Sequence, residues 1–192
     1  MDAESARERI LDAAEDLFYA RGIQAVGMDA IRDASGVTLR RLYQLFPAKG
    51  DLVEAYLSRR DARWLRSLIT HAETAAHTPQ EQLLAVFDWL ENWFDQPGFR
   101  GCAFVNSFGE LGGTSPRILA AVRRHKDDFH AYLRKLATAA GAGTDTSAQI
   151  ALLAEGAITI AAISGTPAPA RQAKRAARLL LRLDAHAELP SA

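Results

Sequence analysis

Arg40, Arg41, Tyr43 and Gln44 stand together in one short stretch, residues 27 to 50, GMDAIRDASGVTLRRLYQLFPAKG. Their chemistry suits DNA. An arginine can donate two hydrogen bonds to O6 and N7 of guanine, and a glutamine can pair with adenine in the same bidentate way. Thr38, Tyr43 and Lys49 suit phosphate oxygens, which fix register without reading sequence.

Local signals place these side chains on a helix pair. Gly27 can open a first helix, although it offers no side-chain acceptor. Asp29 then falls in the first turn, where a negative charge suits the helix dipole. Ala30, Ile31 and Ala34 give that helix a small apolar face. Gly36 falls where it must stop, because glycine tolerates the left-handed conformation of a helix end. Thr38 can cap a second helix. There Leu42, Leu45 and Phe46 repeat at three and four residues and share an inward face, leaving Arg40, Arg41 and Gln44 off it. Pro47 ends the helix. Two short helices around a glycine turn, with basic and amide side chains outward on the second, form a helix-turn-helix pattern.

The rest of the chain must hold that pair in place. Of 192 residues, 23 are basic and 23 acidic. The chain is therefore no general polyanion binder, and DNA affinity must come from a local patch, most simply presented twice. One cysteine excludes an internal disulfide and fits a reducing compartment. No stretch approaches the roughly eighteen uninterrupted apolar residues of a membrane span. MDAESARERI lacks the apolar core of a signal peptide. The expectation is a soluble, cytoplasmic protein with no membrane partner.

Helix is the only convincing period, and the expected class is all-α. Residues 4 to 21 put Ile10, Ala14, Leu17 and Phe18 on one face, with Gly22 as a stop. A long helix from about 49 to 76 has a charged middle, SRRDAR, and reads as a link between two parts. Thr78-Pro79 opens a helix striped by Leu83, Val86, Phe87, Leu90, Trp93 and Phe94. Residues 101 to 112 form a short apolar helix. Ser115-Pro116 starts one with Ile118, Val122, His125, Phe129, Tyr132, Leu133 and Leu136 on one side. Residues 146 to 164 are apolar nearly all round, which predicts burial on most sides, in a core or at a subunit interface. Beyond Pro167 and Pro169, Arg171, Lys174, Arg175, Arg178 and Arg182 make a basic stripe, read as a solvated face or as salt bridges across a dimer.

RERILDAAEDLFYARG (7 to 22), AIRDASGV (30 to 37) and LYQLFPAKGDL (42 to 52) resemble the TetR family of bacterial transcription regulators, and GCAFVNSFGEL (101 to 111) looks like a segment of one branch. The resemblance implies about nine helices. Residues 1 to 48, with the connecting helix to about 64, would form a three-helix DNA-binding domain. Residues 49 to 192 would bind a ligand and dimerise through about residues 146 to 186. It also implies an operator-DNA repressor released by a small molecule, with no cofactor, metal or catalytic residue. By position, Thr38, Tyr43 and Lys49 match phosphate-contacting residues, whereas Leu39, Arg40, Arg41 and Gln44 match variable, base-facing ones. Gly27 opens the second helix, where the family often has threonine or serine. A glycine is common where Arg40 stands.

Trp64, Trp89, Trp93, Phe94, Phe104, Phe108, Phe129 and Tyr132 are expected around the centre of the larger domain. Either they are core packing, or they line a pocket for an apolar or aromatic effector. Asn106, Glu110 and His125 are the polar candidates. Cys102 can serve as a redox switch or be an inert buried thiol. Two other classes stay open. An enzyme would need a motif, but His71, His77, His125, His130 and His186 show no HExxH spacing, and no glycine-rich phosphate loop is present. His125, Asp128 and His130 are too unevenly spaced for one helix face. A structural helical adaptor would have no use for the outward Arg40, Arg41 and Gln44.

Overall fold

The computed structural model describes residues 2 to 187, without the side chains of 183 to 187. His186 and Leu183 therefore lie outside the described side chains. The described residues form nine α-helices and no strand: α1 (Ala3–Arg21), α2 (Met28–Ser35), α3 (Leu39–Leu45), α4 (Lys49–Ala75), α5 (Pro79–Phe94), α6 (Ala103–Leu111), α7 (Pro116–Ala139), α8 (Thr144–Ser164) and α9 (Ala168–Ala187). Contacts divide the chain into two compact units. The first is Met1–Ala62 with Ala103–His125, and the second is Arg63–Cys102 with Lys126–Ala192.

The first unit is built on α1. Asp2 caps it by accepting from the Ser5 amide at 2.8 Å, and Gly22 ends it at φ 86°. Ile10, Ala14 and Phe18 are buried along its inner face as the period requires, whereas α2 buries Ile31 and Ser35. Ala34, expected inside, is exposed. Positions i and i+4 of so short a helix share one face, and Ile31 fixes which face it is.

Charges tie α4 back to α1. Arg59 lies between Glu8, Asp12 and Glu15 at 2.9 to 3.0 Å, and Arg60 meets Glu15 at 3.0 Å. Burial pulls the Arg59 guanidinium downward, but its bonds to Glu15 and the charge of Asp12 outweigh that and hold it above its usual value. Thus the SRRDAR segment carries ion pairs to α1 rather than a bare solvated face. Residues 103 to 125 pack in this same unit, which a division near residues 48 to 64 does not anticipate. The joints are specific. Buried His125 bonds Asp61 through Nδ1 at 2.7 Å and stacks on Phe104 with centroids 3.7 Å apart, while Arg117 pairs with Asp51 and Glu54.

In the second unit, α5 opens on a capping box: Thr78 accepts from the Glu81 amide, and Glu81 accepts from the Thr78 amide. Leu83, Val86, Phe87, Leu90, Trp93 and Phe94 are all buried. Helix α8 packs on α9 and α5, and α5 packs on α9. By length and hydropathy α8 could cross a membrane, but it is an integral part of this packed unit. Within one protomer α8 is covered on one side only, which leaves the subunit interface as the alternative that would bury the rest. Ala151, Ala154, Ala157, Ile158 and Ala161 face inward, whereas Leu152, Ile160 and Ile163 are 72%, 55% and 83% exposed. Of the basic stripe on α9, Lys174 bonds Asp88 at 2.5 and 2.6 Å and Arg171 pairs with Glu91, both on α5 of the same chain.

Candidate nucleic-acid interface

The turn between α2 and α3 is held from within. Gly36 adopts the left-handed conformation (φ 63°, ψ 22°), and its amide bonds the Arg32 carbonyl. Buried Ser35 donates its hydroxyl to the Arg32 carbonyl at 3.1 Å and accepts from the Val37 amide at 3.4 Å. A side chain at Gly36 would put its Cβ 2.7 Å from Nη2 of Arg9, a contact that long side chain can relieve, so it is the backbone conformation that asks for glycine. Thr38 then caps α3, accepting from the Arg41 amide at 3.3 Å.

Helix α3 has only two turns, so its seating decides where its outer side chains point. Leu42 is fully buried, Phe46 is buried just past the helix end, and the Arg7 guanidinium lies 4.8 Å over the Phe46 ring. Leu39 and Leu45 are half-buried, less enclosed than the sequence spacing suggests for Leu45. Arg40, Tyr43 and Gln44 are exposed, and Arg41 is half-buried. Nη1 of Arg41 donates to Oε1 of Gln44 at 3.3 Å, which aligns the two side chains on one outer strip. Among the described residues neither Arg40 nor Arg41 has an ion-pair partner. Arg32, on the preceding helix, is paired with Asp29 and Asp33.

Two more positions flank α3. Gly27 is the exposed N-cap of α2 and offers no side-chain bond. Lys49 opens α4, its ammonium 6.0 Å from the centre of the Phe18 ring. Burial lowers the Lys49 ammonium from its usual range, and the nearby Glu110 carboxylate opposes that shift. The set Gly27, Thr38, Leu39, Arg40, Arg41, Tyr43, Gln44 and Lys49 is thus assembled on α2, α3 and the start of α4 in one compact unit.

The expected ligand-facing residues are shared between the two units. Trp64, Trp89, Trp93 and Phe129 do meet, in the second unit. Trp64 lies 5.1, 5.5 and 5.0 Å from the other three, mostly edge to face, and Trp89 donates to Ser67 at 3.1 Å. At those separations the rings fill the space between them, so a ligand enters there only if a ring moves. Phe104 and His125 stack on each other in the first unit. Phe108 is 53% exposed, and Asn106 is exposed as well. The Glu110 carboxylate accepts backbone amides of the α1–α2 turn. His130 bonds Glu155 at 3.0 Å, whereas His125 bonds Asp61. Tyr132 belongs with the polar candidates as well as with the aromatic ones. Its hydroxyl is buried with no hydrogen-bond partner among the described residues. Burial, and the charge of Glu73, push that phenol up to about 12.

Residues 10 to 56 match the model of the bacterial regulatory proteins of the tetR family, and residues 79 to 177 match the tetracyclin repressor-like C-terminal domain. The HTH-type transcriptional activator FasR of Mycolicibacterium smegmatis is 32% identical over 123 residues, 62% of this chain and 53% of that protein. An HTH-type transcriptional regulator of Mycobacterium tuberculosis is 32% identical over 120 residues, 61% of this chain and 59% of its own. The match therefore spans little more than half the length of these curated relatives. The crystal structure of SCO4454, a TetR-family transcriptional regulator from Streptomyces coelicolor, superposes with a TM-score of 0.85 at 31% identity, covering 93% of this chain and 95% of that one. A TetR-family regulator from Agrobacterium tumefaciens, at 22% identity and a TM-score of 0.79, shares the fold over 94% of this chain and 98% of its own. With a helix-turn-helix turn built on Ser35 and Gly36, a C-terminal match over more than half its length and a full-length structural relative, the chain belongs to the TetR family of bacterial regulatory proteins.

Proposed function

We propose that the protein is a homodimeric, DNA-binding transcriptional repressor that a small molecule releases from its operator. The observation that carries this is α3: a capped, rigidly seated helix presenting Arg40, Arg41, Tyr43 and Gln44 outward, with both arginines free of ion pairs. An enzyme or a structural adaptor has no use for that strip. In this reading Arg40, Arg41 and Gln44 read base edges, and Thr38, Tyr43 and Lys49 hold phosphates. Leu39 sits at the base-facing surface, and Gly27 lets the backbone approach DNA without a hydroxyl.

Dimerisation is supported by the open side of α8 and α9. Leu152, Ile160, Ile163 and Leu179 are exposed there, beside an apolar groove of about 540 Å³ lined by Gln149, Leu152, Leu153, Ala176, Leu179 and Leu180. Soluble chains rarely leave such a surface uncovered. A twofold pair would place two α3 helices about one DNA turn apart, roughly 34–36 Å. An apolar or aromatic effector would enter by displacing a ring of the Trp64, Trp89, Trp93 and Phe129 cluster, with the buried Tyr132 hydroxyl as a polar anchor. Helices α4 and α7 each contribute residues to both units, and α4, which opens beside α3, is the one through which an effector would act on the recognition helix.

The test is fluorescence anisotropy with the duplex upstream of the protein's own gene against a shuffled duplex. Selective binding of the first supports the reading, and equal weak binding of both refutes it. Activation is a second reading, favoured by the name of the relative FasR; a reporter driven from the same upstream DNA separates a fall from a rise in transcription.

A further inference from the structure

The α1–α2 turn cannot satisfy its own backbone. Gly22 leaves α1 in the left-handed region (φ 86°), and Gly27 caps α2 without a side-chain acceptor. Within the turn the Val26 amide bonds the Ile23 carbonyl, which leaves the Ile23 and Gln24 amides to find acceptors elsewhere. Glu110, in the last turn of α6, supplies both. Its Oε1 accepts from Ile23 at 3.0 Å and its Oε2 from Gln24 at 2.7 Å. The Gln24 side-chain amide then donates to the Glu110 carbonyl at 2.6 Å. Three bonds thus join segments 86 and 87 residues apart. A Cβ at Gly22 would sit 3.2 Å from both carboxylate oxygens, so the glycine is what admits them.

The rest of α6 holds on lightly. Ala103, Phe104 and Ser107 are its buried residues, all toward its start, while Val105 and Phe108 are 41% and 53% exposed. Gly112 and Gly113 follow. Glu110 is therefore the fastening at the far end of a short helix. The same carboxylate is felt by Lys49, the residue that opens α4 beside the recognition helix. A negative charge there opposes phosphate binding. Its benefit to a DNA reader must come through the backbone it organises.

We propose that Glu110 is a positioning residue for DNA binding: by fastening the α1–α2 turn to the end of α6, it makes the orientation of α2 and α3 depend on where α6 lies. This rests on the reading of α3 as a DNA-recognition helix. An effector that shifts α6 would then be read out at the DNA through this carboxylate.

The sign of one substitution tests it. Glu110→Gln keeps the shape, removes the charge near Lys49, and turns one acceptor into a donor facing a backbone N–H. If Glu110 acts only as a charge, the variant binds DNA more tightly. If it positions the turn, the variant binds the upstream duplex about tenfold or more weakly. The thermal midpoint stays close to wild type, and amide hydrogen exchange at Ile23 and Gln24 accelerates. Should Glu110→Gln fail to fold, Gln24→Ala, which removes the side-chain clip alone, gives a smaller loss in the same direction. Unchanged or tighter DNA binding with accelerated exchange overturns the proposal, as does unchanged exchange. Wild-type protein that ignores the upstream duplex sinks the DNA-binding reading itself, a result distinct from wild type binding and the variant binding equally.

Discussion

Ile163→Asp should convert the dimer to a monomer without unfolding it. Leu152, Ile160, Ile163 and Leu179 are 72%, 55%, 83% and 60% exposed, which together amounts to about 2.7 whole side chains per protomer. Covering a large apolar side chain is worth about 1.5–3 kcal/mol, so the stripe supplies about 4–8 kcal/mol per protomer and twice that across a symmetric pair. Association costs about 4–15 kcal/mol in lost freedom, so the surplus is modest and single residues matter. Removing Ile163 from both copies forfeits about 2.5–5 kcal/mol, a rise in the dissociation constant of about a hundredfold or more. Two carboxylates that must lose water raise it further. Within the protomer the same residue touches little, so thermal unfolding should barely change. Sedimentation equilibrium over a concentration series measures the constant. A variant that dimerises as tightly as wild type would show that this face is not the interface, and a wild-type chain that stays monomeric would refute the dimer outright.

Four further substitutions have outcomes that follow from the geometry. Gly36→Ala forces an L-residue into φ 63° and drives its Cβ onto the Arg9 guanidinium; Arg9 is flexible enough to yield, so urea unfolding should show a loss of about 1–2 kcal/mol, and no loss would contradict the turn as described. Arg41→Ala should weaken the operator by about 1–3 kcal/mol and relax its base preference. Lys49→Ala should weaken all duplexes alike and flatten the salt dependence by about one unit per site; the same flattening from both substitutions would assign Arg41 to phosphate. The Tyr132 phenol is pushed up to about 12, so the fold favours its neutral form; that stability is complete below pH 10 and is lost as pH rises from 10 to about 12. Tyr132→Phe should remove the last phenolate step from an absorbance titration, with an equal or higher thermal midpoint, because no partner among the described residues is lost.

What the sequence revealed follows a physical divide between local and distant determinants. Gly22, Gly36, Thr38 and Pro47 act within a few residues of themselves, so the helix pair and its outward strip could be read directly. The buried stripe of α5 was equally legible, since a 3.6-residue period needs no partner to be seen. The Thr78–Glu81 capping box was visible by its spacing and went unread. Glu110 was legible only as a carboxylate on an apolar helix. Its acceptors' work lies 86 residues away, and nothing local distinguishes a cap for another helix from a ligand contact. Phe108 and Asn106 fail for a related reason. Composition marks α6 as apolar, but how far along its length the helix is covered depends on distant partners: Phe104 stacks on His125, whereas Phe108, one turn further along the same face, is 53% exposed.

The balanced charge of the chain bears on how so small a strip can be selective. Most acids near the recognition unit are already committed: Glu8, Asp12 and Glu15 to Arg59 and Arg60, Asp51 and Glu54 to Arg117, Asp29 and Asp33 to Arg32. Each neutralises a cation on α2, α4 or α7 that would otherwise attract any duplex. Among the described residues Arg40 and Arg41 are left without such partners, on the helix proposed to face a groove. Pairing elsewhere thus suppresses the nonspecific, salt-sensitive background while sparing the contacts that can discriminate bases. Asp12→Asn with Glu15→Gln should leave Arg59 and Arg60 undercompensated and raise affinity for shuffled DNA more than for the operator. The ratio of the two affinities then falls although neither changed residue belongs to α3. An unchanged ratio would mean that the α1–α4 ion pairs serve stability alone.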